Sequence, residues 1–260
     1  MKNRSLAVFG WLLWQELRVF FQDFFANAID AILFPTAIVI VSSYILPHMG
    51  IGANYGSFIL VGTMTSMCLF NAINKAQVLV SDIETTKSIS YQLALPLPAW
   101  LLFIKIGIGF ALTSLFLNIF TLPVGKILLG DLFSLAHLSP FKLFIVFITI
   151  NIFFGFYGLW IASWVKKSMN FPHIWMRFVL ILWTFGCYQY SWFILNKVYP
   201  FWSYVSLLNP MIYAFEASRV AVLGQQGLLP FWFCIIMLWL FIGIFYSHAL
   251  RKFKSRLDFV

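Results

Sequence analysis

Residues 201–224 read FWSYVSLLNPMIYAFEASRVAVLG and lie between two strongly apolar segments. Pro200, Asn209 and Pro210 interrupt any helix that would otherwise continue through. Glu216 and Arg219 follow three residues apart, a spacing that puts both on one face of a helix. A segment this broken is too interrupted to cross a bilayer, and its two charges oppose full burial. It predicts two short helices that dip into the outer leaflet and return, covered by protein so that their backbone groups stay paired. Glu216 and Arg219 then form either an interfacial ion pair, worth well under about 1 kcal/mol, or part of an outer gate.

The rest of the chain explains why that interruption stands out. Of 260 residues, 62% are hydrophobic and 10% charged, against about 25% charged in a soluble domain. Mean hydropathy is +0.91. These values define an integral membrane protein. The net charge of +9 does not point to nucleic acid, because the basic residues sit between apolar runs rather than in one patch. Cys68, Cys187 and Cys234 all fall in apolar stretches without a CxxC, so they read as small buried hydrophobes. Met1 to Gln22 lacks the compact apolar core and small-residue site of a cleavable signal.

Charge-free runs bracketed by charged residues mark six spans, near 30–47, 56–75, 102–123, 142–164, 177–195 and 230–249. Each approaches the roughly 20 residues that a hydrocarbon core requires. With a cytoplasmic N-terminus, thirteen of the seventeen Lys and Arg fall inside; only Lys126, Lys142, Lys197 and Arg219 remain outside. The positive-inside rule therefore predicts both termini in the cytoplasm. Lys105 and Arg177, at span entrances, are expected to snorkel to the inner interface. The expected fold is an all-α membrane protein with six transmembrane helices, an N-terminal interfacial amphipathic helix and a re-entrant outer helical hairpin before the last span. It forms one domain over 1–260.

Within residues 1–27, Gln15, Glu16, Arg18, Gln22 and Asp23 share one arc of a helical wheel and apolar residues cover the rest. That pattern is an amphipathic helix in the cytoplasmic interface, either a lipid anchor or a lever that also touches a partner. In the inner loop over 76–98, Asp82, Glu84 and Lys87 are polar, Ile89 and Leu93 apolar, and Pro96 and Pro98 end any helix. It reads as an interfacial connector or as a docking element for a soluble partner.

Chemistry of its own is not encoded. No phosphate-binding GxxxxGK[ST], HExxH or GxSxG is present. His48, His137, His173 and His248 lack metal-ligand spacing, so no metal site is expected. No span carries the carboxylate or histidine chain of a proton-coupled carrier.

The run Leu208-Asn209-Pro210-Met211-Ile212-Tyr213, followed by Glu216, Arg219 and Gly224, resembles type-2 ABC transporter permeases. So does the segment from Lys87-Ser88-Ile89 through Leu93 to Pro96-Leu97-Pro98, which is similar to their coupling helix but has Ser90 and Tyr91 where acidic residues are common. The resemblance extends over essentially the whole chain. It implies that Asp82, Glu84, Lys87, Ile89, Leu93 and Pro96 couple to an ATPase, and that Asn209, Pro210, Tyr213, Glu216 and Arg219 form the outer gate. It further implies a homodimer paired with two copies of a separate ABC ATPase subunit, which would carry the ATP and Mg; this chain would hold no cofactor and have no catalytic residues. The implied setting is a bacterial-type inner membrane, with lipid around the spans. The expected activity is outward movement of an amphipathic lipid, a drug-like molecule or a glycan. Alternatives are a polysaccharide or lipo-oligosaccharide exporter permease and, from another class, a non-transport membrane scaffold or assembly subunit.

Overall fold

In hydrocarbon every backbone N–H and C=O must find its partner within the chain, which favours helices wherever a long apolar run occurs. The computed structural model describes residues 2–52 and 54–256. Side chains are described from residue 5 onward, except at residue 90. The two ends of the expected 1–260 domain, the side chains of Lys2 and Arg4 and the departure at Ser90 lie outside the described residues.

All regular elements among the described residues are helical. They are α1 (Lys2–Gln22), α2 (Phe24–Ile40), α3 (Tyr55–Glu84), α4 (Ser88–Leu93), α5 (Ala99–Asn118), α6 (Thr121–Leu129) and α7 (Pro140–Trp164). Then come α8 (Phe171–Ile174), α9 (Leu180–Thr184), α10 (Trp192–Val198), α11 (Pro200–Ser206), α12 (Pro210–Leu223) and α13 (Phe231–Arg256). Among the described residues, five helical runs are long and apolar enough to span: Phe24–Met49, Tyr55–Glu84, Ala99–Leu132, Pro140–Trp164 and Phe231–Arg256.

The expected fifth crossing near 177–195 is not among them. Helix runs through Phe171–Ile174, a π-helical turn at Trp175–Val179 and Leu180–Thr184, about 21 Å at 1.5 Å per residue. The chain then leaves the helix at Phe185–Tyr190, with Cys187 at φ 66°. The first span also differs from expectation. It starts at Phe24, so Asp30 sits inside it as an exposed residue rather than at its N-terminus.

α7 is the central helix and packs against α3, α5, α12 and α13. Its close neighbours are possible because Gly155 and Gly158 carry no side chain where α5 and α3 approach. α2 rests on α3 and α6 and leaves Phe25, Ile29 and Leu33 exposed.

α1 packs against α5, though not by a purely apolar face. Leu12 and Phe20 are buried, and Glu16 lies between them at helical spacing, its Oε2 2.7 Å from Lys105 Nζ of α5. Lys105 is 5% exposed, so it is buried and paired rather than snorkelling outward. Removing one partner strands the other charge, which costs about 3–5 kcal/mol for a buried pair. Glu16→Leu alone is therefore expected to lower the thermal unfolding temperature of the detergent-solubilised chain. Adding Lys105→Met, which restores an apolar contact, is expected to recover most of that loss.

Candidate functional site

The end of the bundle opposite α4 is organised by α12. Asn209 caps it: Oδ1 accepts from the Met211 N–H at 3.1 Å, Pro210 occupies the first turn where its missing N–H costs nothing, and Asn209 Nδ2 donates to the Leu182 carbonyl at 2.6 Å. One side chain thus starts α12 and holds α9 to it. Tyr213 donates its hydroxyl to the Leu207 carbonyl at 2.7 Å, closing the turn between α11 and α12. The two helices and the Asn209-Pro210 break are present as expected.

The burial of the charged pair is not. Every residue from Pro210 to Val222 is buried, and both Glu216 and Arg219 are 0% exposed. Their closest approach is a loose 4.0 Å, because each is committed elsewhere. Arg219 Nη1 donates to the carbonyls of Cys187 at 2.6 Å and Tyr190 at 3.3 Å, and Nη2 donates to that of Tyr188. Its guanidinium lies 3.6 Å over the Phe58 ring of α3. Glu216 Oε1 accepts from the Trp192 N–H at 3.1 Å, at the start of α10, and Oε2 from the Leu229 N–H at 2.8 Å, just before α13. Burial is tolerated because backbone groups freed by three breaks in helical structure supply the partners these charges need. The pair therefore joins the 185–190 turn, α10 and the entry to α13, and is not the weak surface contact that its spacing alone suggests.

At the other end, α4 is held by the end of α3. Asp82 Oδ2 accepts from Ser88 Oγ at 2.7 Å and from the Ile89 N–H at 3.3 Å, and Oδ1 accepts from Thr86 Oγ1. Its carboxylate thus caps the N-terminus of α4 from six residues upstream, a position that also suits the helix dipole. Lys87 makes the turn at φ 52°. Glu84 Oε2 accepts from the Ser168 N–H at 2.9 Å, linking the loop after α3 to the loop after α7. Ser5 of α1 donates to the Pro96 carbonyl at 3.1 Å. Arg256 Nη1 donates to the Val165 carbonyl at 2.6 Å and Nη2 to that of Lys166 at 2.9 Å.

Of the residues expected to contact a partner here, Lys87, Glu84 and Pro96 are exposed, Leu93 and Asp82 are half-buried, and Ile89 is 3% exposed and packs inward. Sequence reasoning missed Tyr91 and Leu95 as surface anchors; both are exposed. The helical period is the available signal, since Lys87, Tyr91 and Leu95 follow one another at four-residue steps.

The fold and its two ends define a multi-pass helical membrane protein with interlocked loops at each end. A family model described as ABC-2 type transporter matches residues 7–223. The chain belongs to the ABC-2 type transporter family, whose members supply the transmembrane subunit of an ABC transporter, and membership implies pairing with an ABC ATPase subunit. No curated protein matches the chain, and neither does any solved structure.

Proposed function

We propose that the chain is the permease subunit of an ATP-driven exporter, working as a dimer with two ABC ATPase subunits that bind ATP and Mg. It sits in a bacterial-type inner membrane with both termini cytoplasmic, as one permease domain over 1–260. The observation that carries this reading is α4. It is a short helix fixed rigidly to the end of α3 by Asp82, with Lys87, Tyr91, Leu95 and Pro96 left uncovered. A helix held that way passes a push from a soluble partner straight into α3, which runs to the outer end and places Phe58 against Arg219. ATP binding to the partner supplies the differential free energy that the chain itself lacks.

At the far end, α11 and α12 form a re-entrant outer hairpin over 200–226 that acts as the gate, with Asn209, Pro210, Tyr213, Glu216 and Arg219 as its joints. Because Glu216 and Arg219 are bound to the 185–190 turn and the α13 entry, the hairpin moves with those segments as a unit. The cargo is an amphipathic lipid, a drug-like molecule or a glycan, the aromatic-rich exposed surface suiting any of the three.

Tyr91→Ala with Leu95→Asp removes the exposed anchors without touching the Asp82 cap. In proteoliposomes containing the permease and its ATPase, this double variant is expected to lower coupled transport about tenfold or more, as loss of interface anchors worth at least 1.4 kcal/mol requires. Folding is expected to stay unchanged. Wild-type transport by that variant would remove the docking role. Absence of any ATP-dependent flux in the wild-type complex would favour a scaffold instead.

A further inference from the structure

A cleft of about 440 Å³ opens between α1, α3, α4 and α5, apart from the outer hairpin and behind the exposed side of α4. Its charged lining is unevenly committed. Glu16 is taken by Lys105, and Asp82 by the N-terminus of α4. Lys75 forms no ion pair among the described residues; its Nζ lies 5.8 Å from the Phe20 ring. Gln92 Oε1, also in the lining, is buried without a hydrogen-bond partner. A half-buried cation without an ion pair and an orphaned acceptor thus belong to the same lining, and the orphaned acceptor leaves a cost of burial uncompensated.

Depth identifies what could meet both. From Tyr55 at the outer end of α3, Lys75 lies twenty residues along the helix, about 30 Å, the thickness of the hydrocarbon core. The cleft therefore sits at headgroup level in the leaflet nearest α4. Val19 and Val78 at its rim are apolar and exposed, which lets acyl chains leave toward the bilayer while a headgroup stays inside.

We propose that this cleft holds a resident glycerophospholipid whose phosphate pairs with Lys75 and whose headgroup donates a hydrogen bond to Gln92. Ethanolamine fits this description, and choline, which has no N–H or O–H to donate, does not. An ammonium also gains from the carboxylates of Glu16 and Asp82 nearby. A lipid seated there braces α1 and α4 against each other, alongside the Ser5 to Pro96 hydrogen bond.

The test is lipid retention by the full chain, which does not depend on whether the chain exports anything. The protein is taken from nanodiscs of equimolar phosphatidylethanolamine and phosphatidylcholine with matched acyl chains, and retained lipids are counted by native mass spectrometry. The wild type is expected to hold one phosphatidylethanolamine in preference to phosphatidylcholine by about tenfold or more, the factor a charge-assisted hydrogen bond supplies. Gln92→Leu is expected to abolish the preference while keeping a lipid bound. Lys75→Ala is expected to lose both lipids, and Lys75→Arg to keep the wild-type pattern. Equal retention of the two lipids by the wild type, or an unchanged preference in Gln92→Leu, overturns the proposal. So does retention that falls to zero during ATP turnover with the partner ATPase, which would make the occupant a transported amphiphile.

Discussion

Arg219→Ala is expected to leave little folded protein. The substitution removes the donors for three carbonyls, at Cys187, Tyr188 and Tyr190, and leaves Glu216 buried without its nearest cation. It also empties the space beside Phe58. Breaking a buried charged arrangement costs about 3–5 kcal/mol, and the orphaned carbonyls add about 1–3 kcal/mol each where water cannot reach them. Against a total stability of about 5–15 kcal/mol for a typical folded protein, that is enough to unfold the end built around α12. The measurement is the thermal unfolding of the solubilised chain beside its yield in membranes. Arg219→Lys is expected to be intermediate, since a single ammonium cannot reach three carbonyls as a fork does. Glu216→Gln keeps an acceptor for one of the two N–H groups and is expected to be milder than Glu216→Ala. If Arg219→Ala unfolds at the wild-type temperature yet alters transport, the pair acts as a gate contact only and the structural account fails.

Residues 201–224 show what a sequence carries and what it omits. Apolar runs locate the starts of four of the five long spans among the described residues to within three residues, because length and hydropathy are local properties, while three of those helices run seven to nine residues past the expected ends. The first, expected near 30–47, starts six residues earlier at Phe24: Asp30 looks like a boundary, yet it lies inside α2 and is exposed there. The break at Asn209-Pro210 was also legible, since capping and proline chemistry act within a few residues. The fate of Glu216 and Arg219 was not. Their partners lie 13 to 32 residues away in sequence, and the carbonyls that accept from Arg219 exist only because the chain turns at Phe185–Tyr190. The same limitation hid the Glu16–Lys105 pair, whose members are 89 positions apart. Lys105 reads as a snorkelling interface group, and Glu216 with Arg219 as an interfacial or gate pair, while the fold buries all three. For α4, the loop was identified from its prolines and charges, but the inward turn of Ile89 and the exposure of Tyr91 and Leu95 depend on how Asp82 orients that helix.

Gly155→Val and Gly158→Val are expected to be the most damaging changes within the bundle interior. A Cβ on Gly155 would stand 2.5 Å from the Gly107 carbonyl oxygen and 2.9 Å from the Ala111 nitrogen, both backbone atoms of α5. One on Gly158 would stand 2.6 Å from the Ala72 carbonyl oxygen of α3. Backbone cannot rotate away as a side chain can, so the whole neighbouring helix must retreat. Between apolar helices in a bilayer, close packing supplies much of the attraction that burial from water gives in a soluble core. Overpacking costs about 1–3 kcal/mol for an inserted group that side chains can absorb, and backbone contacts put these two sites at or above the upper end. The two valines press on different helices from one central helix, so the double variant is expected to detach α3 and α5 from α7 together and to accumulate as aggregate. Gly243→Val on α13 is the control, since a Cβ there meets nothing within 4 Å; its unfolding temperature is expected to match that of the wild type. Equal stability of Gly158→Val and Gly243→Val would mean that α3 and α7 do not approach as closely as these distances require.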